Sequence, residues 1–396
     1  MDNLTHSLLG GALAELALPA GAARTTRRVF LALGVVASNL PDIDLVYTRI
    51  TEPPLGYLLH HRGHTHTIVG LVVQALLLAG LCLLVPAIRR LDAEARRRLA
   101  VLGAVALASH LLLDSWNSYG VHPFHPVDSS WYYGDAIFIF EPWLWMLLGV
   151  AVAANAARRA SRVLVAAAVA LLPLAFTVLG VLSAVSLAAL AAGGLAFAWL
   201  ARRLTPRGRA SAALAIGAVF VLLVFALGAA ARSQVRALLA PEVRGEVVDV
   251  VLSALPAEPW CWTAIAIEKD ATNGRLALHR GTLSLVPSLV APERCALHRL
   301  WGLPSIPWSG QARLARGAPI EQSLATWTTY ARDCRVKAWL QFARAPFVRG
   351  DEVRDLRYET GPRENFTAMT VLEGGSCPSH LTSWGLPRAD LLQVTP

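Results

Sequence analysis

In His60-His61-Arg62-Gly63-His64-Thr65-His66, four histidines and an arginine fall within seven residues, just ahead of an apolar run that begins near Thr67. Imidazole nitrogen is the commonest side-chain ligand for zinc and similar ions, so a cluster of this kind points first to a metal site. Complementary ligands lie elsewhere in the chain. His110-Leu111-Leu112-Leu113-Asp114 puts an imidazole and a carboxylate one helical turn apart on one face, where both can reach a single ion. Asp42 and Asp44 follow Pro41 where a helix should end, and their i, i+2 spacing in extended chain turns both to one side. His6 stands one turn inside an otherwise apolar N-terminal helix.

Mixed His and Asp ligands in excess of four are more than one tetrahedral ion needs. They predict a site for a divalent metal, zinc or else manganese, with two or more ions. Such an ion lowers the pKa of bound water to about 7 and polarises a phosphoryl or acyl oxygen, so hydrolysis is the natural reaction. Arg62 carries a planar fork suited to phosphate oxygens and His61 can move protons, which makes these two the expected catalytic pair. No Gly-flanked serine elbow, His-Glu-x-x-His helix, Walker loop or dinucleotide fingerprint is present.

The elements that must position these groups follow from composition. With 55% hydrophobic and 16% charged residues, the 396-residue chain reads as a membrane protein. Its net charge of +9 does not argue for nucleic acid, because the arginines sit in short clusters between apolar runs, as they do when they orient helices in a bilayer. Eight windows of suitable length result: Leu4–Ala20, Val29–Val46, Thr67–Ile88, Leu99–Trp116, Ala136–Ala157, a hairpin over Val163–Ala201 turning near Gly180 to Ser183, and Ala210–Ala231. The first lacks the basic start of a signal peptide and is expected to be a retained helix.

Every arginine cluster falls in loops of one parity, which the positive-inside rule assigns to the cytoplasm. The opposite loops therefore face outward. They carry His6, Asp42, Asp44, the histidine cluster, His110 and Asp114, so all the ligand-type residues share one face of the membrane. Of the five cysteines, Cys82 lies within a span, whereas Cys261, Cys295, Cys334 and Cys377 all follow the last one. Four cysteines in one extramembrane segment predict two disulfides in an oxidising compartment, with three connectivities open. The expected fold is an α-helical polytopic membrane bundle of about eight spans over residues 1–232. Residues 233–396 form a small extracytoplasmic α+β domain, with a hairpin at Asn273-Gly274, a helix over Glu321–Ala343 and strands at Val353–Glu359 and Phe366–Leu372.

Asp2-Asn3-Leu4-Thr5-His6, Leu40-Pro41-Asp42-Ile43-Asp44, His61-Arg62-Gly63-His64-Thr65-His66 and His110-Leu111-Leu112-Leu113-Asp114 with Tyr119-Gly120 occur in that order. Over residues 1–150 the chain resembles the YdjM-type family of bacterial inner-membrane proteins, described as metal-dependent hydrolases. The resemblance implies His6, Asp42, Asp44, His66, His110 and Asp114 as metal ligands, with His61 and Arg62 beside them; His64 is an addition to the pattern. The same succession is similar, more distantly, to that of the zinc-dependent phospholipase C and single-strand nuclease group, whose members are soluble and whose N-terminal tryptophan ligand has no counterpart here.

The expectation is therefore an integral membrane hydrolase of the bacterial inner membrane, cleaving a lipid or envelope phosphoester at the outer face, with membrane lipids and that substrate as partners and no nucleic acid. The alternative is a metal-binding membrane protein or transporter without chemistry, which calls for polar groups deep in several spans. The sixth to eighth windows show almost none.

Overall fold

The computed structural model describes residues 1–295, 313–359, 365–371 and 376–392. Polar residues just ahead of apolar runs start the helices. Asp2 accepts from the Thr5 amide, Thr67 from Gly70, Asp92 from Ala95 and Thr205 from Gly208, each bonding an amide that a first turn leaves free. The helical part comprises α1 (Asn3–Ala17), α2 (Arg24–Asn39), α3 (Leu55–His60), α4 (Ile68–Leu84), α5 (Pro86–Arg89), α6 (Ala93–Asp114), α7 (Pro142–Asn155), α8 (Arg159–Val178), α9 (Ala184–Ala201) and α10 (Pro206–Leu239). Each expected window thus contains helix, although that over Ala136–Ala157 becomes helical only at Pro142. The long uncharged stretch folds back on itself beside Gly180, whose φ of +75° suits a residue without a Cβ.

Four helices among the described residues are long and apolar enough to cross a membrane: Arg24–Ile50, Arg159–Val178, Ala184–Ala201 and Pro206–Leu239. Leu55–His66 with Ile68–Leu84, bent by 66°, makes a fifth if the pair is one span. The expected eight are not reached by this measure, for physical reasons. With 15 and 14 residues, α1 and α7 extend only about 22 Å, short of a hydrocarbon core of about 30 Å. Meanwhile α6 carries Arg96, Arg97 and Arg98 in its opening turns.

Close packing of α1 on α2 sets the two ends of the bundle. A Cβ on Gly10 would lie 2.2 Å from the Gly34 carbonyl oxygen, so the helices cross at backbone contact, as small residues permit. At one end Arg27 pairs with Glu15 and donates to the Asn155 carbonyl, Arg207 donates to the Leu18 carbonyl, and Arg209 reaches Asn155 Oδ1 at 3.1 Å. Arginines from the first turns of α2 and α10 therefore meet at the end of the bundle away from His6.

Beyond α10 the chain is rich in strands. β1 (Glu246–Leu255), β2 (Glu258–Asp270), β3 (Arg275–Ser284) and β4 (Leu314–Arg316) form an antiparallel sheet in that order, with β5 (Ile320–Ser323) also on β3; β6 (Pro346–Arg349), β7 (Glu352–Asp355) and β8 (Met369–Thr370) form a second. The Asn273-Gly274 hairpin joins β2 to β3 as expected, and valine-rich β1 is an additional strand. The single helix expected over Glu321–Ala343 is instead β5 followed by α11 (Leu324–Tyr330) and α12 (Cys334–Trp339). Ser323 and Asp333 each cap a new helix start, which interrupts a continuous one. The strands expected at Val353–Glu359 and Phe366–Leu372 are shorter than the windows, and residue 372 lies outside the described residues. Of the three connectivities, the observed one is Cys261–Cys295 and Cys334–Cys377.

The two parts share apolar cores. One runs from Leu8, Trp145 and Val224 into Val250 and Trp262; another joins Leu55, Leu58 and Leu59 of α3 to Trp327, Trp339 and Phe342. Arg344 clamps them further, with Nη1 and Nη2 2.8 and 2.9 Å from the Asp135 carboxylate and Nε 2.8 Å from Asp249. The strand-rich part thus presses on α3, whose last residue opens the histidine cluster.

Candidate metal centre

At the end opposite the arginines, four polypeptide segments converge. α2 passes into a tight 3-10 turn over Leu40–Val46, which carries Asp42 and Asp44; α3 runs into the turn of His61 to His66; α1 brings His6 and α6 brings His110 with Asp114. Ligand atoms of Asp42, His66, His110 and Asp114 all lie within 4.8 Å of one another. His66 Nε2 is 3.1 Å from His110 Nε2, 3.3 Å from Asp114 Oδ2 and 3.6 Å from Asp42 Oδ1; His110 Nε2 is 3.5 Å from Asp42 Oδ1. His66, His110 and Asp114 are essentially without solvent exposure.

The far sides of both rings are held. His110 Nδ1 donates to the Ser38 carbonyl at 2.7 Å, which leaves its Nε2 lone pair facing the cluster. His66 Nδ1 lies 3.1 Å from Asp44 Oδ2 and 3.0 Å from the Thr65 hydroxyl. Asp44 is itself fixed by the Arg62 amide at 2.8 Å and the Thr65 hydroxyl at 3.0 Å. Two nitrogen and two oxygen donors, with carboxylate and carbonyl groups orienting the imidazoles from behind, are a donor set that suits a divalent ion. Two Nε2 atoms 3.1 Å apart with two carboxylates around them form a donor set that could hold a metal ion.

The remaining expected residues surround this core. Asp42, Asp44 and His61 form a second group whose ligand atoms lie within 4.8 Å, so Asp42 belongs to both. His61 and Asp42 are the partly exposed members, at 12% and 13%, and mark the side open to solvent. His6 stacks on His110 with ring centroids 3.8 Å apart and its Nε2 3.3 Å from Asp114 Oδ1, while the Met1 amino group also contacts Asp114. Arg62 is buried, with φ +57°, and turns inward. Its Nε is 3.0 Å from Asp114 Oδ2, and Nη1 donates to the Asp114 carbonyl and Asn117 Oδ1, each at 3.0 Å. The fork read from the sequence as suited to a phosphate therefore clamps the cluster's own carboxylate, because a buried guanidinium must be paired.

His60 and His64 stand apart. His60 Nε2 bonds the Thr51 hydroxyl at 2.8 Å, and the His64 ring lies 4.9 Å from Trp384. Thr65, the Ser38 carbonyl and Tyr119, whose ring lies 4.7 Å from the Arg62 guanidinium, complete the surroundings. The Thr65 hydroxyl sits inside the histidine motif and could be read there; a backbone carbonyl leaves no mark in a sequence.

Fold and site together define a membrane protein with apolar helices and a buried His/Asp cluster able to hold a metal ion. Residues 1–184 match the model of a family described as YdjM inner membrane protein, so the resemblance carried by the four motifs holds and extends past residue 150. A protein of Bacillus subtilis (strain 168) described as uncharacterized protein YfhP is 26% identical over 150 residues, which cover 37% of this chain and 43% of that protein. The match thus spans less than half the length of that curated relative. No solved structure matches the chain.

Proposed function

We propose that the protein is a metal-dependent phosphoester hydrolase of the bacterial inner membrane, with its site at the outer face and the strand-rich domain, about residues 233–396, on the same side. One observation carries the reading: His66, His110, Asp42 and Asp114, far apart in sequence, bring their ligand atoms within 4.8 Å. Asp42, shared with the Asp44–His61 group, is the residue that would bridge a second ion, and His6 stands by to complete the shell. Zinc suits the nitrogen and oxygen mixture, and manganese is the alternative. When bound, such an ion polarises a phosphoryl oxygen and makes water nucleophilic near neutral pH.

The chain's own groups supply the rest. Arg62 holds Asp114 in place through Nε, and Asn117 fixes the guanidinium from the other side. Asp44 orients both His61 Nδ1, at 3.1 Å, and His66 Nδ1. His61, partly exposed with its Nε2 away from Asp44, is the group to take a proton at the open side.

The test is hydrolysis of phosphodiester, phosphomonoester and acyl esters by the purified protein with and without chelator. Chelator-sensitive release from a phosphoester supports the reading; metal binding without any turnover makes the protein a metal-binding membrane protein instead. Reporters fused at Arg97 and at the C-terminus should lie on opposite sides of the membrane, and same-side signals exclude the proposed orientation.

A further inference from the structure

A cavity of about 460 Å³ lies between the loop that follows α6 and the face of β1 to β3. It adjoins the metal cluster without containing it: Tyr57 and Tyr119 on its wall lie 4.9 and 5.7 Å from the His61 ring, and Asn117, also on the wall, accepts from Arg62. Its volume falls in the range of small-ligand sites.

The lining is of two kinds. Phe138, Ile139 and Phe366 are apolar, and Ile139 and Phe366 are each 47% exposed, with Ile139 just ahead of α7 in the chain. The polar members are donors. Asn117 Nδ2, the Tyr119 hydroxyl and the Tyr358 hydroxyl are buried with no hydrogen-bond partner in the protein, and Asn117 and Tyr119 are over nine-tenths buried. Buried donors are normally paired, so three in one cavity call for an acceptor from outside the chain. Arg280 adds a cation on the same wall, and Glu359 is an opposing charge close enough to act on it. Burial lowers the Arg280 guanidinium to about 10, which still leaves it charged at neutral pH, and burial pushes the Tyr358 phenol up so that it stays a donor.

We propose that this cavity binds the head of an anionic amphiphile, a lipid whose phosphate lies among Asn117, Tyr119, Tyr358 and Arg280 and whose hydrocarbon leaves over Phe138, Ile139 and Phe366. The inference names the substrate class of the hydrolase proposed above and rests on that reading for its purpose. The binding itself needs no metal. Placement of the head beside His61 assigns the strand-rich domain its task, which is to form the second wall of a lipid site whose first wall is the membrane bundle.

Equilibrium binding to the full-length protein in phosphatidylcholine nanodiscs, in EDTA, tests it with three probes: oleoyl lysophosphatidic acid, mono-oleoylglycerol and inorganic phosphate, each against empty nanodiscs. Saturable binding of the lysophosphatidic acid alone is expected. Tyr358→Phe removes a hydroxyl with no partner in the protein, so a purely structural tyrosine loses nothing, whereas the proposed role predicts about tenfold weaker binding. Arg280→Gln should weaken it at least as much, with circular dichroism and thermal melting confirming the fold. The proposal is overturned if mono-oleoylglycerol binds as tightly, if inorganic phosphate saturates the site equally well, if no probe saturates, or if both variants bind like the parent. Because EDTA removes turnover, these outcomes are independent of whether the protein hydrolyses anything.

Discussion

His66 and His110, 44 residues apart, point their Nε2 atoms at each other across 3.1 Å while the Ser38 carbonyl and the Asp44 carboxylate hold the opposite edges of the rings. An imidazole pair fixed from behind in this way presents lone pairs to one point, and Asp42 and Asp114 supply oxygens to the same point.

Metal content should follow that geometry. His110→Ala and His66→Ala each remove a direct donor and should strip the purified protein of its ion, as read by elemental mass spectrometry. Asp44→Asn keeps the donors of the Asp42–His66–His110–Asp114 group but loosens His66, so affinity there should fall by about 10- to 100-fold, and it takes a carboxylate from the second group of Asp42, Asp44 and His61. Equal retention in all three variants would show that the ion, if any, sits elsewhere.

Gly10 touches no ligand, yet it controls where His6 stands relative to α2. Gly10→Val drives a side chain into the Gly34 carbonyl and the Ser38 hydroxyl, and overpacking of this kind costs about 1–3 kcal/mol. Thermal melting in detergent should fall, and metal affinity should fall with it because Ser38 orients His110. A variant that melts lower but binds metal normally would separate helix packing from the site.

The clamp between the two parts should be acid-sensitive. Burial alone would raise the Asp249 carboxyl, but the bond and charge of Arg344 outweigh it and hold the group below its ordinary value. A carboxylate with a depressed folded pKa contributes stability that is complete above about pH 4, the ordinary value, and is lost as pH falls through the folded one. Asp249→Asn should therefore flatten the stability profile below about pH 4. Arg344→Ala leaves Asp135 buried with only Arg232 and should cost about 3–5 kcal/mol at neutral pH. Chemical denaturation at several pH values measures both.

Disulfide connectivity is checked by non-reducing peptide mapping, which should recover Cys261 linked to Cys295 and Cys334 linked to Cys377, with Cys82 as a free thiol. With sequence separations of 34 and 43, loop entropy assigns each bond about 4 kcal/mol. Cys334→Ser should lower the melting temperature while metal content stays unchanged, since the cluster lies in the helical part; loss of metal would mean that the strand-rich domain holds the site together.

The ligand-type residues, the helical windows and the confinement of four cysteines to one segment were all readable along the chain. Each depends on local chemistry: apolar runs exclude water, arginines punctuate them, and His with Asp one turn apart shares a face. The span count was less legible, because composition marks where a helix forms but its usable length depends on where capping residues and arginine-rich turns end it, as α1, α6 and α7 show. Contacts made across the fold lay beyond the sequence. Asp44 behind His66 rather than beside its Nε2, Arg62 folded inward onto Asp114, Asp42 common to two groups, and a donor-lined cavity between the loop after α6 and the sheet all arise because segments far apart in sequence are packed together, and the burial that results obliges each charge to find its partner.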